Sequence, residues 1–135
     1  MGLRVVAIDT GASKRDLCLS LGASTFLDFQ TSLNLVQDVQ SITKGGAQAV
    51  LVAAGGSAAY NTAISYLRPT GTLLVVGLPP GAMLQAPVIL IGGKGLNIKG
   101  IFLGNRKHAI EAVQIAATGK VKVTHTIRGL SELNE

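Results

Sequence analysis

The stretch LRVVAIDTGASK, Leu3 to Lys14, decides how the rest of the chain is read. Its first half, Leu3 to Ile8, is a run of aliphatic and β-branched residues without polar alternation, the pattern of a strand buried on both faces in a parallel sheet. The run stops on one acid, Asp9, and turns through small residues into a helix start. In open parallel sheets ligands sit beyond the carboxyl ends of the strands, where an acid accepts hydrogen bonds from a ribose. Asp9 is therefore a candidate ribose ligand. Its other reading, equally open on this residue alone, is a cap on the turn before the next helix.

Outward from this stretch, strand and helix patterns alternate. Ser13 and Asp16 have the spacing of a capping box, and Leu17 and Leu21 give the helix behind them one apolar stripe, stopped at Gly22. Thr25-Phe26-Leu27 reads as a short strand closed by Asp28. Leu35, Val39 and Ile42 recur at helical spacing up to Gly45-Gly46, and Ala49 to Val52 is the next buried strand, opening into Ala53-Ala54-Gly55-Gly56-Ser57. Tyr60, Ala63, Ile64 and Leu67 predict a helix stopped by Arg68-Pro69. The β-branched run Thr72 to Val76 predicts a strand, followed by the irregular loop Gly77 to Gly81. Leu96 to Phe102 gives a last strand and Lys107 to Thr118 a last helix, with a further short strand a candidate at Val121 to Ile127. Connections this short between strands and helices demand a parallel sheet with right-handed crossovers, the doubly wound α/β class.

Composition agrees. The chain has 135 residues, 47% hydrophobic, only 4% aromatic and 14% charged, which describes one aliphatic-cored domain. The net charge of +5 is scattered, with its densest clusters at Arg106-Lys107-His108 and Lys120 to Lys122, and three Phe and two Tyr make no stacking platform. A nucleic-acid partner is therefore not expected. A single cysteine, Cys18, excludes an internal disulfide and a thiolate zinc site; its spacing from Leu17 and Leu21 makes it a small buried hydrophobe. No apolar run reaches the roughly 18 residues of a membrane span, and the N-terminus has no secretory layout, so a cytoplasmic location is expected.

One motif is missing. Dinucleotide-binding sheets open with a strand, a Gly-x-Gly-x-x-Gly turn that holds the pyrophosphate on a helix N-terminus, and an acid roughly 20 residues later. Here only eight residues precede Asp9, and the glycine fingerprint does not occur. The stretches MGLRVVAIDTGASK, LGASTFLDF, GGAQAVLVAAGGSAAYNTAISYLRPTGTLLVVGLPPG and LNIKGIFLGNR, in this order and spacing, nevertheless resemble the coenzyme-binding domain of the zinc-dependent medium-chain alcohol dehydrogenases, the tetrameric yeast and bacterial type in particular. Met1-Gly2 then matches the end of the helix after the fingerprint. Residues 1–135 read as a partial NAD-binding domain, Rossmann-like but without its first strand and first helix.

The resemblance implies that Asp9 holds the adenosine ribose with Lys14 beside it, and that Ala53 and Ala54 border the nicotinamide. It implies that Val76 and Leu78, flanking Gly77, contact the nicotinamide through their main chain, as do Ile101 and Leu103. An acid at Asp9 favours NAD over NADP, whose 2′-phosphate it repels. The family's zinc ligands have no counterpart in Cys18, His108 or His125, so the chain alone is not expected to catalyse the hydride transfer from an alcohol. The alternative function is a stand-alone nucleotide-binding module without catalysis. Two apolar strand edges, at the strand ending in Asp9 and at Ala49 to Val52, face the place of the absent strand. They are expected either to close on each other or to pair with a second chain, and the last strand to pair across a two-fold axis.

Overall fold

The computed structural model describes residues 2–121 and 123–132, which fall into two units, Met1–Phe102 and Leu103–Glu135. In the first unit the elements are β1 (Val6–Asp9), α1 (Ala12–Ser20), β2 (Thr25–Asp28), α2 (Leu35–Ile42), β3 (Ala47–Val52), α3 (Ser57–Tyr66), β4 (Leu67–Val75), α4 (Val88–Lys94) and β5 (Asn97–Gly100). Every strand pairing is parallel, as the short α crossovers require. The strands form two sheets, β1-β2 and β3-β4-β5. The expected direct closure of β1 on β3 does not occur. The edge each strand turns away from its partner carries no ladder among the described residues.

The core lies on the larger sheet. β4 is its middle strand, and Leu73 at its centre is fully buried with Leu67 and Ile64. α3 packs on β3 and β4, and Val39 of α2 joins the same cluster. Ile8 and Leu27 of the smaller sheet pack against this cluster as partly buried residues. Leu51, by contrast, stands 61% exposed on β3, because its side chain alternates with Val50 and Val52 onto the sheet face that α3 does not cover.

Several boundaries depart from the sequence reading for local reasons. α1 is not opened by a capping box at Ser13. Gly11 at φ 92° occupies the N-cap with no side-chain cap, so the helix starts at Ala12 and Ser13 already lies inside it. The Leu17 and Leu21 stripe stays largely exposed and Cys18 is only half-buried, since α1 packs chiefly on the two short strands β1 and β2. α2 begins where Asn34 accepts the Gln37 N–H at 3.1 Å. Leu67 does not close α3 but opens β4. It pairs with Ala47 while Thr72 pairs with Ala49, so residues 68–71 bulge out, with Thr70 at φ 64°. Pro69 forces this by disfavouring helical geometry at Arg68. α4 has no counterpart in the sequence reading. Gly92-Gly93 hides it by propensity, yet Pro87 starts it and Gly95 closes it at φ 60° in the left-handed conformation.

In the second unit, α5 (Arg106–Ile115) is capped reciprocally by Asn105 and His108, then widens into a π turn at Ala116–Lys120 that Gly119 reverses at φ 73°. The strand expected at Val121 to Ile127 is not formed by residues 121 and 123–127, which have no ladder partner; residue 122 lies outside the described residues, as does Met1. Replacing the fully buried Ile64 by Ala is expected to lower unfolding stability by about 3 kcal/mol, read from a urea transition, with an unchanged slope.

Candidate functional site

The register of the smaller sheet sets Asp9 directly beside Asp28 at the carboxyl ends of β1 and β2. Each carboxylate is held by the backbone it adjoins. Asp9 Oδ1 accepts the Thr10 N–H at 2.8 Å and a hydrogen bond from Lys14 Nζ at 2.9 Å. Asp28 accepts the Gly11 N–H on Oδ2 at 3.1 Å and the Gln30 N–H on Oδ1 at 2.9 Å. Asp28 therefore ties the turn after β1 to the end of β2, and this tie with Gly11's positive φ starts α1 early enough to bring Lys14, in its first turn, back onto Asp9. The sequence reading named Asp9 and Lys14 but treated Asp28 only as a strand stop. The signal for it was present, since both strands of the pair end in an acid.

Both carboxyls are held below their ordinary value of 3.8. For Asp9 the hydrogen bond from Lys14 leads, with the Thr10 amide and the ammonium charge adding to it; partial desolvation and the charge of Asp28 oppose it. For Asp28 the Gly11 and Gln30 amides lead. Asp9 thus stays ionised with one side-chain oxygen, Oδ2, taking no hydrogen bond among the described residues, and it is 38% exposed. An ionised, accessible carboxylate with a free acceptor oxygen is what a vicinal diol needs. A cleft of about 480 Å³ runs beside the same turn, lined by Arg15, Phe26, Asp28, Thr31 and Asp38; Asp9 is not among its walls.

A second group of expected site residues gathers at the carboxyl ends of the larger sheet. The Val52 carbonyl, last in β3, accepts the N–H groups of Val76 at 3.1 Å and Gly77 at 3.0 Å. A Cβ on Gly77 would stand 2.7 Å from the Ala54 carbonyl oxygen and 3.0 Å from the Tyr60 hydroxyl, so only glycine lets the loop after β4 press onto Ala53 and Ala54. Ile101 follows β5 and donates its N–H to the Val75 carbonyl at 2.9 Å. The structure thus brings together Asp9 with Lys14, and separately Ala53, Ala54, Val76, Gly77 and Ile101, with Leu78 next in the same loop. No hydrogen bond joins the two groups among the described residues. Leu103 opens the second unit and is exposed there.

The donor set for a zinc ion is not assembled: among the described residues no three His, Cys, Asp or Glu side chains cluster, and His108 is engaged with Asn105. Among the described residues no helix is long and apolar enough to cross a membrane.

The model of the zinc-binding dehydrogenase family matches residues 1–118. The chain is 42% identical over 135 residues to alcohol dehydrogenase 1 of Emericella nidulans, and 38% identical over 133 residues to an alcohol dehydrogenase of Schizosaccharomyces pombe. It spans 39% and 38% of the lengths of these two relatives, and 98% of its own length is covered in each comparison. Among solved structures, the alcohol dehydrogenase of the archaeon Aeropyrum pernix superposes with a TM-score of 0.86 at 30% identity, covering 96% of this chain and 37% of that one.

Lys14 is the leading cause of the low Asp9 value, so the sign of its removal is fixed. A carboxyl whose folded value lies below its unfolded one adds stability above the unfolded value and loses it as pH falls through the folded one. In Lys14→Ala the Asp9 carboxyl should titrate higher, back towards 3.8, in a carboxyl-carbon NMR titration, while Asp28 stays low.

Proposed function

Because this chain belongs to the zinc-binding dehydrogenase family, we propose that it forms the nucleotide-binding part of an NAD-dependent alcohol dehydrogenase. The observation that carries this reading is Asp9, which is ionised, accessible and left with a free oxygen at the carboxyl end of β1. Its carboxylate accepts the two hydroxyls of the adenosine ribose. Lys14 lies next to it and holds the carboxylate in place from one side. An ionised acid at this position repels a 2′-phosphate, so NAD is preferred to NADP. Ala53, Ala54, Val76, Gly77, Leu78 and Ile101 form the nicotinamide side, chiefly through their main chain. The chain supplies part of an NAD-binding domain.

Bound NAD supplies the acceptor for a hydride from an alcohol carbon. The chain's own residues bind and orient that acceptor. Among the described residues no cluster of His, Cys, Asp or Glu side chains is present to hold the family's zinc. A cytoplasmic setting and self-association are part of the same proposal. Association runs through the exposed strand β5 or through the open edges of β1 and β3, where unpaired N–H and C=O groups accept a further strand.

Calorimetric titration of the purified chain with NAD tests the reading. The expected result is saturable binding, weakened about tenfold or more in Asp9→Ala, a loss near 1.4 kcal/mol, with NADP weaker than NAD in the parent chain. A folded chain that binds no NAD, or an Asp9→Ala variant that binds as well as the parent, contradicts it.

A further inference from the structure

Tyr60 lies in α3 and is 5% exposed, its ring part of the core. Its hydroxyl lies at the edge of that core. It reaches the junction of the two loops on the nicotinamide side, where it donates to the Gly77 carbonyl, with the Val52 carbonyl as a second acceptor at 3.3 Å. One proton serves two carbonyls, and the Gly77 oxygen is the nearer. The Val52 carbonyl is already shared by the Val76 and Gly77 amides. The Gly77 carbonyl has no other donor among the described residues.

This bond fixes more than one oxygen. The Gly77 C=O and the Leu78 N–H belong to the same planar trans peptide, so they point in opposite directions. With the C=O drawn inward to Tyr60, the Leu78 N–H is aimed away from the core. Among the described residues that N–H has no acceptor, and Leu78 is more than half exposed. An exposed backbone donor with no protein acceptor, at the carboxyl end of a parallel sheet, is free to exchange water for a ligand's acceptor.

We infer that Tyr60 is a positioning residue for the nicotinamide half of the site: its hydroxyl, through the Gly77 carbonyl, aims the Leu78 amide at a hydrogen-bond acceptor of the bound dinucleotide. The inference rests on the proposed NAD site and adds a residue that touches no ligand. Tyr60 sets the peptide plane on which the nicotinamide side depends, and leaves the adenosine side at Asp9 untouched. Gly77 permits the arrangement, because a Cβ there would meet the hydroxyl itself at 3.0 Å.

The test compares NAD with AMP, which carries only the adenosine half. Tyr60→Phe keeps the buried ring and deletes the hydroxyl. The expected result is roughly a fivefold loss of NAD affinity with AMP affinity unchanged. A purely structural role lowers both together or neither, and either result overturns the inference. A parent chain that binds AMP through Asp9 but gains nothing from the nicotinamide half overturns the inference and leaves the adenosine site standing. A folded parent that binds neither overturns both. Should Tyr60→Phe fail to fold, amide exchange in the parent chain decides: NAD, and not AMP, should slow exchange at Leu78, and equal slowing or none counts against the role.

Discussion

Burial of β4 between β3 and β5 is the constraint on which the rest depends. Leu73 and Leu67 on this strand are removed from water together with Ile64 of α3, and from Thr72 to Val75 the strand is paired in parallel on both sides. Because the crossovers are α-helical and the pairing parallel, all three strands deliver their carboxyl ends to one edge. The loops after β3 and β4 therefore meet, and Gly77 lets them meet at backbone distance. The proposed site residues on this sheet are consequences of that packing rather than additions to it.

The smaller sheet solves a different problem. Two four-residue strands cannot bury much, and their residues are only partly covered. What they do supply is register: Asp9 and Asp28 are paired partners, one carboxylate spent on the turn and the other left accessible. Like charges side by side are unfavourable, and here amides and an ammonium offset the repulsion, which is why both carboxyls stay ionised. Asp28 thus holds the frame in which Asp9 can act.

The alternation of elements was legible because aliphatic runs and helical spacings are written directly in residues such as Ile8, Val39, Ile64 and Leu73. Asp9, the strand-ending acid, was legible for the same reason. Three features were not. The early start of α1 depends on a hydrogen bond from Gly11 to Asp28, 17 residues away, which no local capping pattern contains. α4 runs through Gly92-Gly93, where propensity argues against it and only the flanking Pro87 and Gly95 speak for it. Tyr60 read as one more apolar position in a helical stripe, since spacing places its ring in the core and says nothing of where its hydroxyl ends. The separation into two sheets was half legible: the glycine fingerprint is missing from the motif, and direct closure of β1 on β3, one of the two outcomes expected, is not formed.

One bound dinucleotide is proposed to engage both sheet ends. Amide chemical-shift mapping of the isotope-labelled chain, with NAD added stepwise, tests it most directly. Perturbations should concentrate at residues 9–14 and at residues 53–54 and 76–78, the two groups responding with one common affinity. Perturbations confined to the exposed face of α5, or two groups titrating with unrelated affinities, would contradict it.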